Sequence, residues 1–153
     1  MSACAKQLGV EIRAPRTEDY ARMAELAGQL SYPATPEEIA RRLEPMMNSS
    51  ENAVFVAQLP GGELAGWIAV FVYRCVETDV RAEVSGLVVD ERHRSLGIGR
   101  RLLERAEEWA REKGCAAIGL RSNVIRARAH AFYERQGYEH HKTQKSFRKR
   151  LPS

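Results

Sequence analysis

The segment Arg94-Ser95-Leu96-Gly97-Ile98-Gly99-Arg100-Arg101 sets a basic side chain, two closely spaced glycines and two more arginines between an apolar run and an amphipathic stretch. Glycine lets a backbone come close to a ligand. The first amides of a helix beginning near Gly97 have no intrahelical partner, and the helix dipole adds partial positive charge there. Such a turn is suited to phosphate, and Arg94, Arg100 and Arg101 add charge to it. Two known phosphate motifs do not fit the spacing. A P-loop needs Gly-Lys-Ser/Thr after four intervening residues, and a dinucleotide fingerprint needs a small third residue where this chain has Leu102. The expected ligand is a phosphorylated compound of neither class. A plainer interpretation keeps the glycines for turn geometry and the arginines on a solvated face, and the motif alone does not separate the two.

The elements around this loop must hold it in place. Ala82 to Val89 is strand-like and leads into it. Gly97 to Lys113 carries Ile98, Leu102, Leu103, Ala106, Trp109 and Ala110 on one helical face, with Gly114 as a stop. Upstream, Val10 to Arg13 alternates like an edge strand, and Thr17 caps a helix with Tyr20, Met23, Ala24, Ala27 and Leu30 at helical spacing. Thr35-Pro36-Glu37-Glu38 combines a capping Thr, a Pro at the first helical position and a Glu three residues after the cap. It starts a second helix through Met47, which Pro45 is expected to fray or end. Ala53 to Leu59 and Leu64 to Val76 are strands joined by the turn Pro60-Gly61-Gly62-Glu63. Downstream lie a short strand, Ala116 to Leu120, and a helix, Arg126 to Gln136. Tyr138 to His140 and Ser146 to Leu151 read as a final strand pair. The order predicts an α/β or α+β fold around a mostly antiparallel sheet, in one domain spanning 1–153.

Composition narrows the function classes. The chain has 153 residues, 44% of them hydrophobic and 29% charged, which describes one ordinary globular domain. A net charge of +4 permits an anionic ligand without pointing to nucleic acid. The longest apolar run, Leu64 to Val72, is about half the length a bilayer-spanning helix needs. The first ten residues lack a basic region followed by an apolar stretch, so the expected location is cytoplasmic, with no membrane partner. Cys4, Cys75 and Cys115 are widely spaced, with no CxxC and no nearby His at ligand spacing. They are read as free thiols, and no metal is expected. Lys142 to Arg150 contains no acid and one aromatic, Phe147. It is read as exposed surface rather than a nucleic-acid patch.

Two stretches together resemble the GNAT superfamily of acetyl-coenzyme A dependent N-acetyltransferases. Arg94 to Gly99 matches the signature Gln/Arg-x-x-Gly-x-Gly/Ala after a strand ending in Leu87-Val88-Val89. Ser122-Asn123, Arg126, Ala129-His130, Phe132-Tyr133-Glu134 and Gly137-Tyr138 resemble the family's terminal AxxFYExxGF pattern. The two motifs stand in the expected order, and the resemblance covers nearly the whole chain. It implies a sheet of six to seven strands, flanked by about four helices and splayed between Ala82–Val89 and Ala116–Leu120. It also implies acetyl-CoA as cosubstrate. The pantetheine arm would lie against the backbone of Leu87, Val88 and Val89. The pyrophosphate would sit on the amides of Arg94, Ser95, Leu96, Gly97, Ile98, Gly99, Arg100 and Arg101. The family often has an Asn seven residues before the tyrosine of this pattern. Here that position is Arg126, with Asn123 three residues earlier, so either is a candidate for the cofactor contact.

The implied reaction is direct acetyl transfer to a primary amine of a small molecule or peptide. It needs a deprotonated amine and a proton for the departing thiolate. Glu83 is the candidate base, because its spacing from the Arg94 loop is similar to that of the general-base glutamate in the histone acetyltransferase branch. A partly apolar cleft raises a carboxylate pKa toward neutrality, which would suit that role. The plainer alternative is a strand Glu paired with Arg81. Tyr133 is the candidate acid by resemblance, or else a core aromatic with a bonded hydroxyl. His130 is a second base candidate or a packing residue, and His140 and His141 either border the acceptor or lie on a solvated strand. The acceptor would enter beside Gln29 to Thr35 and the last strand pair, where no carboxylate cluster announces a polycation. The resemblance further implies a homodimer through the last strands. The alternative function is a non-catalytic CoA-binding module on the same scaffold, and the presence of both Glu83 and Tyr133 argues against it.

Overall fold

Runs of β-branched and aromatic residues between turn signals build one sheet in sequence order: β1 (Glu11–Arg13), β2 (Asn52–Gln58), β3 (Leu64–Tyr73), β4 (Arg81–Val89) and β5 (Ile118–Leu120). The computed structural model describes residues 9–122 and 124–153. It divides into two compact units, one ending at Arg121 and one running from Ser122 to Ser153. The first four strands pair antiparallel and β5 joins β4 in parallel. A parallel neighbour needs a crossover, and helix α3 (Ile98–Glu112) supplies it. The β3–β4 register slips by one residue, with Val84 opposite Val70 and Gly86 opposite Ala69, so Ser85 is the extra residue of a bulge.

Helices α1 (Tyr20–Gly28) and α2 (Pro36–Met47) pack against each other, α1 on β3 and α2 on β2. Met23, Leu43, Val54, Val56, Leu64 and Ala69 form the buried cluster there, flanked by Trp67. Phe55 points to the other face, where the Arg105 guanidinium of α3 lies 4.5 Å from its ring centroid. Leu102, Leu103 and Ala106 are fully buried along α3. Gly66 allows this close approach: a Cβ on it would stand 2.5 Å from the Val88 carbonyl and 3.3 Å from Leu102 Cδ1. The α3 helix ends as Gly114 predicts. Gly114 has φ 78, and the amides of Gly114 and Cys115 bond back to Arg111 and Ala110.

Several boundaries differ from the sequence reading. The first helix opens with a 3-10 turn, Thr17–Asp19, in which buried Asp19, rather than Thr17, accepts the Arg16 amide at 2.7 Å and pairs with Arg13. Pro45 does not end α2, because it lies in the last turn and removes a single bond; the helix runs to Met47, and Asn48 N–H still reaches Glu44 O at 3.2 Å. Thr35 caps α2 as expected, accepting the Glu38 amide at 3.1 Å.

The sheet has five strands, not six to seven, because the expected final pair, Tyr138 to His140 with Ser146 to Leu151, does not form among the described residues. That stretch has no apolar face to bury. After Tyr138 only Phe147 and Leu151 are large and apolar, too few to make a strand face, and both stay exposed.

The unit from Ser122 onward contains α4 (Ala127–Arg135). Gly137 ends it at φ 90, with its own amide on Glu134 O and the Tyr138 amide on Tyr133 O, both at 3.0 Å. No helix of the described residues is long and apolar enough to cross a membrane. Cys75 and Cys115 are free and half-buried, and Cys4 lies outside the described residues.

Candidate active site

The edge of β4 is half free. β5 pairs with it only at Ala82, Glu83 and Val84, opposite Ile118, Gly119 and Leu120, whereas β3 stays paired with β4 through Val89. From Ser85 to Val89 the second edge has no strand partner among the described residues. This is the opening expected between the central strands. A strand edge of this kind accepts an extended ligand through its main-chain groups.

The strand ends at Asp90, which is 2% exposed and whose amide bonds to Ala65 O at 2.7 Å. Its carboxylate pairs with the Arg22 guanidinium and with Arg92 at 2.8 Å, and accepts the Arg92 amide at 3.1 Å. The Arg92 side chain above all, together with the Arg22 bond, holds Asp90 well below the usual carboxylate range despite burial. Gln29 Oε1 accepts the Glu91 amide at 3.1 Å, so α1 is fastened to the loop at a second point. The sequence reading missed this anchor. Its signal was an Asp directly after the apolar run Leu87-Val88-Val89.

Beyond it the backbone turns through the left-handed region at Ser95 (φ 67) and Gly97 (φ 81) into α3. The helix start has no side-chain cap and no acid in its first turn. Arg101 N–H to Gly97 O, at 3.1 Å, closes the first turn, which leaves the amides of Ile98, Gly99 and Arg100 as the free donors of that end. The site therefore fits an anionic phosphate group. The arginines are used differently from the sequence reading. Arg100 pairs with Glu104 at 2.9 Å, and the Arg101 guanidinium bonds to the Val10 carbonyl, whereas Arg94 is half-buried in the loop.

Glu83 stands on β4 beside β5. Its Oε1 accepts from Arg81 Nε at 3.2 Å, which raises the Arg81 pKa, and the two side chains are 12% and 28% exposed. Arg81 in turn lies over the Tyr73 ring, 4.4 Å from its centroid. The ion pair of the plainer interpretation is thus present, with Glu83 two residues before the Ser85 bulge.

On the α1 and α2 side of the sheet a groove of about 290 Å³ opens, walled by Met23, Leu43 and Trp67, with Ser85 and Gly86 of β4 and Tyr32 beyond α1. Trp67 is fixed by its indole N–H donating to Met23 O at 3.3 Å. Ser31 closes α1 at φ 66, with its amide on Gly28 O and the next on Ala27 O, and this turn leaves Tyr32 73% exposed.

In the unit from Ser122, Tyr133 meets Phe132 and Tyr138 edge-on at centroid distances of 5.4 and 6.3 Å. Burial pushes its hydroxyl pKa up, with Arg126 offsetting part of the effect. Arg126 is exposed at the start of α4, and Asn123 lies outside the described residues. His130 is half-buried on α4. His140 is bonded to Thr143 at 3.0 Å, and His140 and His141 are exposed on an irregular segment rather than a strand.

Residues 20–138 match the family model described as Acetyltransferase (GNAT) family. An aminoalkylphosphonate N-acetyltransferase of Salmonella typhimurium is 33% identical over 135 residues, covering 84% of each chain. An aminoglycoside N(6')-acetyltransferase type 1 of Stenotrophomonas maltophilia is 30% identical over 94 residues, covering 59% of this chain and 61% of its own. Among solved structures, the aminoglycoside N-acetyltransferase AAC(6')-Iy in complex with CoA superposes with a TM-score of 0.82 at 18% identity, covering 93% of this chain and 95% of that one.

Proposed function

The chain belongs to the GNAT family of acetyltransferases, and from that membership we propose that it uses acetyl-CoA to acetylate the primary amine of a small molecule held in the groove beside β4. The observation that carries this reading is the half-free β4 edge running directly into an uncapped helix start. Relatives named for aminoalkylphosphonate and aminoglycoside acceptors support a small-molecule amine.

Acetyl-CoA supplies the acetyl group as a reactive thioester. The amides of Ile98, Gly99 and Arg100 hold its pyrophosphate, and the main chain of Leu87, Val88 and Val89 orients its pantetheine arm. Fixing both partners converts a bimolecular step into one of high effective concentration. Glu83 takes the proton of the incoming ammonium, directly or through water, with Arg81 as its counter-ion. Tyr133, a neutral phenol at neutral pH whose burial raises its pKa further, donates to the leaving sulfur. Asn123 or Arg126 adds a contact to the cosubstrate. A cytoplasmic location and a homodimer complete the reading, the second checked by sedimentation.

Incubation with acetyl-CoA and a panel of primary amines should release free thiol. Silence across the panel, with no acetyl-CoA binding by calorimetry, would overturn the reading.

A further inference from the structure

Trp67, Ala69 and Phe71 alternate onto one face of β3, and Val88, Gly86 and Glu83 of β4 stand opposite them in turn. Glu83 therefore shares the sheet face that floors the groove, two residues before Ser85, which lines it. Away from that carboxylate the lining is apolar. Met23 and Met46 are deformable walls that favour an aromatic neighbour, and Trp67 presents a fixed ring beside them. Tyr32 adds a second ring, 73% exposed after the left-handed turn at Ser31, so a ligand that covers it removes apolar surface from water. Among the described residues lining the groove, Arg42 is the one charged side chain. It is 53% exposed and donates to Glu38 at 2.8 Å, which leaves no net charge there for a ligand's acid. A volume of about 290 Å³ lies at the small end of ligand sites, enough for one ring on a short arm.

We propose that the acceptor is an arylalkyl monoamine, with its ring among Trp67, Met46 and Tyr32 and its amine toward Ser85 and Glu83. This rests on the acetyltransferase reading above and adds the substrate class to it. It departs from the aminoalkylphosphonate and aminoglycoside acceptors for which two relatives are named. A phosphonate would give up its hydration in this groove with no unspent cation to receive it. The hydroxyls and extra ammoniums of an aminoglycoside would face side chains that offer them no partner. An aromatic ring loses little hydration and gains edge or face contacts with two rings and two thioethers.

The test is calorimetry on the full chain saturated with CoA, using 2-phenylethylamine, 2-cyclohexylethylamine, ethylamine, 2-aminoethylphosphonate and kanamycin. Weak members are read by displacement of 2-phenylethylamine. The phenyl compound should bind tightest, about thirtyfold better than ethylamine and about threefold better than its cyclohexyl analogue. The phosphonate and kanamycin should bind no better than ethylamine. In Tyr32→Ala the phenylethylamine-to-ethylamine ratio should fall about fivefold while CoA affinity is kept, and Tyr32→Phe should restore the ratio. A phosphonate or kanamycin that binds tightest, a cyclohexyl analogue equal to the phenyl compound, a ratio unchanged in Tyr32→Ala, or no measurable binding of any of the five overturns the proposal. Thiol release with acetyl-CoA and 2-phenylethylamine is read separately. Its absence beside the expected binding order would overturn the acetyltransferase reading and leave the groove's preference for aryl amines standing.

Discussion

Gly119 on β5 faces Glu83 on β4, and a Cβ on Gly119 would stand 3.3 Å from Glu83 Oε1. The glycine leaves the carboxylate its place between Arg81 and the neighbouring strand. If Glu83 is the proton acceptor, Glu83→Gln should lower kcat by about a hundredfold at neutral pH and below. The loss should shrink at high pH, where the amine has already lost its proton. Gly119→Ala should lower kcat several-fold, because the carboxylate must shift by a few tenths of an ångström, with acetyl-CoA affinity unchanged. Rate profiles against pH for both variants, with calorimetry on CoA, check this pair.

Tyr133→Phe should lower kcat by about tenfold to a hundredfold with little change in CoA binding. Because burial raises the hydroxyl pKa, activity lost by ionising Tyr133 should fall away only above pH of about 10. That alkaline limb should be absent from the residual activity of the variant.

Asp90→Asn removes the buried carboxylate that Arg22 and Arg92 share, while both guanidiniums keep Glu63 and Arg22 also keeps Glu25, so the cost should be about 1–3 kcal/mol by urea unfolding. The folded pKa of Asp90 lies below its unfolded value. Its stabilisation is therefore complete above the ordinary carboxylate range and is lost as pH falls toward the folded value. The native chain should lose this part of its stability on acidification, and the variant should lack that part of the slope.

Gly86→Ala places a methyl 2.8 Å from the Trp67 ring. Crowding of this kind costs about 1–3 kcal/mol. Since Trp67 and Gly86 both line the groove, KM for the acceptor should rise more than KM for acetyl-CoA. Equal effects on the two constants would place Gly86 in the strand's packing alone.

The sequence carried the local features well. Thr35 and Gly114 mark helix ends because their geometry depends on adjacent backbone. The Arg94 to Gly99 turn was equally legible, since glycine spacing and an uncapped helix start are local properties. Asp90 was not legible, because its meaning lies in Arg22, 68 residues away. The same holds for Arg101, which its place at the helix start suggested for phosphate and whose guanidinium the fold holds on the Val10 carbonyl. The last strand pair, Tyr138 to His140 with Ser146 to Leu151, does not form among the described residues because its mostly charged and polar residues give a sheet nothing to cover. The groove was invisible for another reason: Leu43, Trp67 and Gly86 meet only once two helices and two strands have been packed.

β1 is three residues long, and its approach is clipped to α3 through Arg101, four residues into the helix whose start is free to take phosphate. Opening of that first helical turn and detachment of the first strand are thus linked. Amide hydrogen exchange in Glu11–Arg13 should slow when the cosubstrate is added, although no atom of the strand belongs to the pyrophosphate loop. The first strand becomes a remote gauge of how firmly that turn is held.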